Sequence, residues 1–356
     1  MAFVANDTPQ KTADTTAYPS QTSGEDAYRA GAPTKLDTRP QTADKHLKNT
    51  LELVDHTNNS EHTALQPGDH RYTISVDGKD RQFEVHVPPG YDGKKPYPVV
   101  YMMPGMGGSI DQQKHETGMN NRQDAIIVYT QPLPKDFPGD FNLTKQTSWN
   151  LNDGSLTKKD ASYDDMDYMR RVNQLVSHQV NVDKNAQYIA GFSEGGGAAQ
   201  YVAEQMPGTF AAVASVHGTY LEGEEKPQKD SGTAFIDVMG TSDHMLPMSG
   251  GRGLMTLTTP IAAESRPLQQ ATNWAAANEC SAPTVKQDGT NTVTDYACRS
   301  GDVEQIVRQG GEHAWDGKGL NGKADFGWYF VGMPDTTQDT TRDIMNFFNA
   351  HRKQGS

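Results

Sequence analysis

A serine between two glycines carries the clearest chemical signal in the chain. Ser193 lies in the run Gly-Phe-Ser-Glu-Gly at 191–195, which fits the pattern Gly-x-Ser-x-Gly. A strand-like stretch, 186–190, precedes it, and a helix-like stretch of small residues, 197–204, follows. A strand, a sharp turn with serine and then a helix form a nucleophile elbow, in which the hydroxyl is held clear of both elements. We therefore predict that Ser193 is a nucleophile, with an ordinary glycine-rich turn as the alternative.

A serine hydroxyl is a weak nucleophile that needs a base, and the base needs an orienting acid. Around a nucleophile elbow the chain order is serine, acid, histidine. Four histidines follow the serine: His217, His244, His313 and His351. We favour His313, which lies in a glycine-rich loop just after the strand-like stretch 303–307. The first histidine has no acid between it and the elbow helix, the second leaves little room for one, and the last follows a helical stretch.

The candidate acid lies beyond another buried strand-like stretch, 233–240. Asp243 stands just past its end, whereas Asp237 lies in its middle. Catalytic groups gather at strand ends in open α/β sheets, and this rule favours Asp243.

Backbone donors for a developing oxyanion are predicted at two places. The strand-like stretch 97–103 runs into Pro-Gly-Met-Gly-Gly-Ser at 104–109, and this loop can aim the N–H of Met106 at the site. The second donor is the N–H of Glu194, the residue after the nucleophile.

Five motifs follow one another in an order typical of a known group. They are Pro-Gly-Met-Gly-Gly-Ser, Ser-Trp-Asn at 148–150, Gly-Phe-Ser-Glu-Gly-Gly, Gly-Thr-Ser-Asp and Gly-Gly-Glu-His-Ala-Trp. On these motifs, residues 70–350 resemble the polyhydroxybutyrate depolymerase and feruloyl esterase group of α/β-hydrolases, the relatives of carbohydrate esterases. The resemblance implies a triad of Ser193, Asp243 and His313. It also implies that Trp149 and Trp315 lie near the acyl or alcohol pocket, with a packed core ring as the alternative for each.

The chain departs from the usual pattern of this group at two positions. Met103 and Met239 stand where histidine is common in the oxyanion loop and before Gly-Thr, respectively. These two differences do not affect the triad, but they leave the identity of the substrate open.

The order of elements predicts an α/β-hydrolase fold. A hairpin is indicated by the stretches 72–76 and 83–87 around Asp77-Gly78. The later strands alternate with helices, which predicts a mostly parallel sheet with helices on both faces and an antiparallel hairpin at its N-terminal edge. We assign 66–356 to the catalytic domain. Residues 1–65 have few large apolar side chains and are expected to form a disordered tail.

Charge and composition exclude some classes of binding partner. A net charge of −13 argues against nucleic acid, which requires a basic face. The sequence has no metal-ligand signature, no transmembrane run and no signal-peptide-like stretch. We therefore expect no cofactor, no membrane contact and an ester substrate as the partner. The oligomeric state is open.

The chain has two cysteines, Cys280 and Cys298. One disulfide or two unpaired thiols would fit the count, and the bridge also fits the family resemblance. A bridge favours an oxidising compartment, hence a secreted or periplasmic protein. The lack of a signal-peptide-like stretch argues the other way, so the localisation is open.

Together these observations predict a serine esterase that hydrolyses carboxylic esters through an acyl-enzyme. Feruloyl-type carbohydrate esters and short hydroxyalkanoate polyesters are the candidate substrates. An acyltransferase with the same triad and a non-catalytic binding protein with the same fold are the alternatives.

Overall fold

The computed structural model describes residues 34–35, 65–135, 145–151, 159–220, 227–229, 231–251, 266–317 and 332–353. Nearly all of the predicted tail, residues 1–65, lies outside the described residues, so its disorder stays a prediction.

Thirteen strands occur in the described part of the chain. They are β1 (Thr34–Lys35), β2 (Gly68–Val76), β3 (Lys79–Val87), β4 (Tyr97–Met103), β5 (Ile126–Thr130), β6 (Pro134–Lys135), β7 (Gln146–Thr147), β8 (Val182–Phe192), β9 (Ala212–Val216), β10 (Ala234–Gly240), β11 (Thr284–Asp288), β12 (Asn291–Tyr296) and β13 (Val303–Arg308). Eleven form one sheet in the order β1-β2-β3-β5-β4-β8-β9-β10-β13-β12-β11, and β6 pairs with β7 separately.

The centre of the large sheet is parallel. Strands β5, β4, β8, β9, β10 and β13 pair in parallel, each with the next in this order. Strands β5, β9 and β10 are buried along their whole length, as expected where helices cover both faces. Antiparallel hairpins, β2–β3 and β11–β12, flank the parallel centre. This is the predicted α/β-hydrolase architecture.

The N-terminal hairpin forms where the sequence predicts it. Asp77 and Gly78 connect β2 to β3, with φ angles of 52° and 72°. Two left-handed residues match the right-handed twist of the flanking strands, which explains an Asp-Gly pair at this turn.

Five α-helices cover the sheet in the described residues: α1 (Ile110–Thr117), α2 (Asp165–Gln179), α3 (Glu194–Gln205), α4 (Gln270–Ala277) and α5 (Thr340–Ala350). Apolar residues of α2, α3 and α4 pack on one face of the sheet, and those of α1 and α5 pack on the other. The buried residues Met169, Val172 and Val176 of α2 follow the predicted helical spacing. None of the described helices is long and apolar enough to span a membrane.

A disulfide joins Cys280, which follows α4, to Cys298, which follows β12. Of the two possibilities left by the sequence, the structure therefore has the bridge. It closes a loop with a sequence separation of 18, and closing such a loop is worth about 3 kcal/mol in the chain-entropy treatment.

Candidate active site

Ser193 occupies a strained turn between β8 and α3. Its φ of 55° and ψ of −123° lie outside the regions that residues with a Cβ ordinarily adopt. Its backbone N–H donates to the carbonyl of Val216 at 2.9 Å, and its own carbonyl accepts from the N–H of Gly196 at 2.9 Å. The neighbouring strand and the first turn of the helix therefore fix the conformation that exposes the hydroxyl.

Close backbone contacts explain both glycines of the serine motif. A Cβ at Gly191 would lie 1.8 Å from the carbonyl oxygen of Gly195. A Cβ at Gly195 would lie 2.1 Å from the carbonyl oxygen of Met103, at the end of β4. No side chain fits at either position, because β8, α3 and β4 pass one another at backbone distance.

The structure brings Ser193, His313 and Asp243 together at the carboxyl end of the sheet. The Oγ of Ser193 lies 2.9 Å from Nε2 of His313. The Nδ1 of His313 lies 2.7 Å from Oδ2 of Asp243. Asp243 follows β10 and His313 follows β13, so two adjacent parallel strands deliver the acid and the imidazole to the same edge. The rival acid Asp237 lies inside β10, where it accepts a hydrogen bond from Gln305 at 3.0 Å.

Electrostatics favour an ionised carboxylate beside a neutral imidazole. Burial alone would raise the pKa of Asp243, but His313 and then His217 outweigh it and hold this pKa well below its usual range. Burial lowers the pKa of His313 from 6.5, and the charge of Asp243 opposes that effect only in part. Because a carboxylate only accepts hydrogen bonds, the Nδ1 of His313 carries the proton and its Nε2 is free to accept one from Ser193.

A second histidine, which the chain order excludes as the base, also belongs to this group. His217, directly after β9, lies with its Nδ1 2.8 Å from the Oδ2 of Asp243. Its ring centroid is 5.5 Å from that of His313 in an edge-on arrangement. The order serine, acid, histidine does not reveal this contact, because the acid of His217 lies after it in the chain.

The predicted oxyanion loop passes against the elbow. A Cβ at Gly105 would lie 3.1 Å from the Cβ of Ser193. The turn that holds Met106 is closed by the N–H of Gly108, which donates to the carbonyl of Gly105 at 3.0 Å. The N–H of Glu194 is the first of α3 and therefore has no acceptor within the helix. The N–H of Met106 as a donor stays a prediction.

The segment Ser148–Asn150 makes hydrogen bonds to this loop and to the first residue of the elbow helix. The hydroxyl of Ser148 donates to Oε1 of Glu194 at 2.5 Å, and the indole N–H of Trp149 donates to the carbonyl of Pro104 at 2.9 Å. Asn150 accepts from the ammonium group of Lys135 at 3.0 Å. Ser148 and Trp149 thus link the two backbone segments predicted to bind an oxyanion.

Burial also changes the acidity of Glu194. It raises the pKa of this carboxyl to about 7, against hydrogen bonds from the Ser148 hydroxyl and the Trp149 backbone that lower it. Near neutral pH a large fraction of Glu194 is therefore uncharged, which limits the negative charge beside the predicted oxyanion donors.

The two tryptophans predicted to line a substrate pocket are both buried in the core. Trp149 is 1% exposed and Trp315 is 2% exposed. The indole N–H of Trp315 donates to the hydroxyl of Thr341, in α5, at 3.0 Å. Both rings therefore pack as structural elements in this conformation, and their contact with a substrate stays a prediction.

An ion-pair network fixes the loop that carries His313. Arg308, the last residue of β13, pairs with Asp316 at 2.5 Å and with Asp343, in α5, at 3.0 Å. It also donates to the hydroxyl of Thr340 at 2.7 Å. The Arg308 side chain is 2% exposed, and its contacts anchor the loop on both sides of the imidazole to the last helix.

One group of side chains in the described residues has the composition of a metal site. It consists of His217, Asp243 and His313, whose ligand atoms lie within 4.8 Å of one another. Hydrogen bonds between the two Nδ1 atoms and one carboxylate oxygen already account for this arrangement.

Comparison with known families agrees with the fold. The family model described as "Putative esterase" matches residues 75–314, which is more than half of the chain. The matched range includes Ser193, Asp243 and His313. The chain belongs to this esterase family. Its reaction class is therefore the hydrolysis of carboxylic esters.

Several curated proteins are similar to this esterase. NocK of Nocardia uniformis subsp. tsuyamanensis, which carries the same description, is 25% identical over 292 residues, 76% of this chain and 81% of the relative. Feruloyl esterase D of Neurospora crassa is 26% identical over 183 residues, 51% of this chain and 60% of that enzyme. Feruloyl esterase C of Emericella nidulans is 23% identical over 287 residues, 76% of this chain and 92% of that enzyme.

Solved structures similar to this esterase include an acetyl xylan esterase from Aspergillus awamori. It has a TM-score of 0.49 and 12% identity, with 68% of this chain and 94% of that chain covered. An S-formylglutathione hydrolase from Agrobacterium tumefaciens has a TM-score of 0.47 and 13% identity, with 83% and 99% covered.

Proposed function

We propose that the protein is a serine esterase in which Ser193 is the nucleophile, His313 is the general base and Asp243 orients the base. The observation that carries this proposal is the unbroken chain of hydrogen bonds from the Ser193 hydroxyl through the imidazole to the carboxylate, at 2.9 and 2.7 Å. The left-handed backbone of Ser193 supports the same role, because strain of this kind persists where surrounding structure enforces it and is common at active sites.

Acylation begins when Ser193 Oγ attacks the ester carbonyl. The hydroxyl proton moves to Nε2 of His313 as the new C–O bond forms, and the resulting imidazolium is stabilised by the ionised Asp243. The negative oxygen of the tetrahedral intermediate is bound by the backbone N–H of Glu194 and, we propose, that of Met106. The imidazolium then gives its proton to the leaving alkoxide, which departs as the alcohol and leaves an acyl-serine.

Deacylation repeats these steps with water. His313 accepts a proton from the water molecule that attacks the acyl carbonyl. When the second tetrahedral intermediate collapses, the proton returns to Ser193 Oγ and the carboxylic acid leaves. The low pKa of Asp243 and the lowered pKa of His313 suit these roles, since one group must stay charged and the other must start neutral.

We further propose that hydroxycinnamoyl esters, such as feruloyl esters of carbohydrates, are among the substrates. Feruloyl esterases from several fungi are similar to this chain, and one aligns with 76% of it. We assign the activity to residues 66–356, which contain the fold and the site.

The test compares the wild type with Ser193→Ala on p-nitrophenyl acetate and methyl ferulate. Ser177→Ala is the matched control, because this serine lies exposed on α2 and bonds only to its own helix. We expect Ser193→Ala to lose about 10⁴-fold or more in kcat and the control to lose nothing. A fluorophosphonate should label Ser193, which peptide mass spectrometry identifies. Retained activity in Ser193→Ala, or labelling elsewhere, would refute the assignment.

Product analysis with added alcohol separates hydrolysis from acyl transfer. Free ferulate as the main product is the expected result. A transesterified product that dominates in water would instead make the protein a transferase with the same nucleophile.

A further inference from the structure

His217 is a second imidazole on the proposed catalytic carboxylate. Its Nδ1 lies 2.8 Å from Oδ2 of Asp243, the same oxygen that accepts from His313 at 2.7 Å. The side chain of His217 is fully buried. Because the partner is a carboxylate with a pKa below its usual range, the hydrogen in this contact lies on the Nδ1 of His217.

The backbone adopts an unusual conformation to hold this ring. His217 has a φ of 48°, and only Asp77, Ser193 and Glu279 share a left-handed φ among the described residues other than glycine. Asp77 is in the hairpin turn and Glu279 follows α4, whereas Ser193 and His217 directly follow the adjacent strands β8 and β9. The N–H of His217 donates to the carbonyl of Val238 at 2.8 Å, which fixes it to β10. A strained, buried polar residue in contact with the site is a reason to look for a function.

With this contact, Asp243 accepts four hydrogen bonds. The backbone N–H groups of Met245 and Leu246 donate to Oδ1 at 2.9 and 2.8 Å. The two imidazoles donate to Oδ2. The backbone donors set the position of one oxygen, and His217 sets the position of the other, so the carboxylate plane cannot turn away from His313.

The other ring nitrogen of His217 does not make a hydrogen bond of this kind. Its Nε2 is buried and has no hydrogen-bond partner among the described residues. The Ser193 hydroxyl is bonded to His313 instead. The geometry therefore favours a role for His217 that acts through Asp243 over a role as an alternative base.

We propose that His217 is a positioning residue, which holds Oδ2 of Asp243 so that the Nε2 of His313 stays directed at Ser193. This inference rests on the proposed serine esterase function and extends it by a fourth residue. It also supplies a reason for a neutral base: a carboxylate oxygen shared between two donors attracts the proton on either imidazole less strongly than an unshared one.

The groups that face His313 support a measurable effect on its protonation. Burial lowers its pKa first, Asp243 opposes this, and His217 and the exposed His244 lower the pKa further. Ser193 contributes only a hydroxyl. Removal of the donor at His217 leaves Asp243 free to bind a proton on His313 more strongly, so the pKa of His313 should rise.

The kinetic test uses His217→Phe, which keeps a ring without a donor, and His217→Asn, whose amide N–H can replace Nδ1–H. We expect His217→Phe to lower kcat by about 10- to 100-fold with little change in KM, the factor typical of one lost hydrogen bond to a charged group. The acidic limb of the kcat/KM profile should move up by roughly half to one pH unit. His217→Asn should restore most of kcat and the position of the limb. His115→Asn, at an exposed histidine of α1, is the control and should leave kcat and the limb nearly unchanged.

A second test does not depend on turnover. In ¹⁵N-histidine-labelled protein, both imidazole N–H groups on Asp243 should give low-field proton resonances, in the wild type and in Ser193→Ala. His217→Asn should remove one of them and His115→Asn neither. This result would hold even if Ser193 were not the nucleophile, so failure of the esterase proposal and failure of this inference can be told apart.

Three results would overturn the positioning role. One is a single low-field resonance in the wild type. Another is a folded His217→Phe variant with wild-type kcat and an unmoved acidic limb. The third is an equal loss in the Phe and Asn variants without a shift of the limb, which would mean a packing role alone. If His217→Phe does not fold, the Asn variant and the resonances decide.

Discussion

Glu194, the residue next to the proposed nucleophile, makes the folding stability of this protein depend on pH. Burial raises its pKa from the ordinary 4.5 to about 7, although hydrogen bonds from Ser148 and the Trp149 backbone oppose this rise. Glu194→Gln keeps the shape of the side chain, and its amide oxygen can still accept the Ser148 hydroxyl. It removes the ionisation and, like the protonated carboxyl, places a donor at the buried Oε2 position, which has no hydrogen-bond partner among the described residues.

The sign of the effect follows from proton binding. The unfolded chain releases this proton near pH 4.5, whereas the folded protein keeps it to about pH 7. Between these values the folded state binds more protons, so the free energy of unfolding falls as pH rises. At about 1.4 kcal/mol per pH unit, this interval corresponds to about 3 kcal/mol. The wild type loses that amount across the window, and Glu194→Gln does not.

Urea denaturation between about pH 5 and pH 8 measures the difference. The two proteins should have similar free energies of unfolding near the acid end, and Glu194→Gln should become the more stable by up to about 3 kcal/mol at the alkaline end. Asp237, whose pKa burial raises to about 8, is present in both proteins and cancels. Asp92→Asn, at a side chain 60% exposed, is the control and should run parallel to the wild type. Parallel curves for Glu194→Gln and the wild type would refute the reasoning.

Three further predictions concern the base, the elbow and the disulfide. Because the pKa of His313 is lowered, the acidic limb of the wild-type kcat/KM profile should lie below pH 6.5, and a limb above that value would contradict the electrostatic argument. Gly191→Ala would place a Cβ 1.8 Å from a backbone oxygen of α3 and should cost about 3 kcal/mol or more in thermal or urea unfolding. The control Gly90→Ala, with nothing within 4 Å of the added carbon, should be nearly neutral. Replacement of Cys280 and Cys298 by serine should lower the free energy of unfolding by about 3 kcal/mol without loss of kcat in the folded protein, and an unchanged urea midpoint would contradict the first part.

The sequence predicts the elements whose local pattern determines them. The elbow at Ser193 depends on glycines forced by close backbone contact, and such contact leaves a visible spacing in the chain. The hairpin at Asp77-Gly78 and the apolar stripe of α2 are equally local. The parallel centre follows from alternating strands and helices, so the edge at which Asp243 and His313 meet could be expected before the structure was known.

Elements held by caps or by neighbours could not be predicted in this way. Helix α1 has one apolar residue in its first turn and no apolar stripe, and it is defined by Ser109, which accepts from the N–H of Gln112, and by the left-handed Gly118 at its end. Strand β11 is exposed along its whole length and exists because it pairs with β12.

The same limit applies to part of the candidate site. The contact of His217 with Asp243 requires the loop after β10 to bring the carboxylate beside the residue that follows β9, and no spacing in the sequence predicts that. The raised pKa of Glu194 is a consequence of burial, which a residue type does not reveal. The burial of Trp149 and Trp315 and their hydrogen bonds to Pro104 and Thr341 likewise arise from contacts that only the folded chain brings together.

The ion pairs of Arg308 tie the loop of His313 to the last helix of the described chain. If α5 frays on heating, that loop loses the contacts at Asp343 and Thr340 while the sheet stays folded, because helix ends open at far lower free energy than central strands. Turnover would then fail before the bulk of the molecule melts, and the working lifetime of the catalyst would be governed by a local opening. Engineering for durability should therefore begin at the C-terminal helix, well over a hundred positions along the chain from the nucleophile, and leave the core as it is.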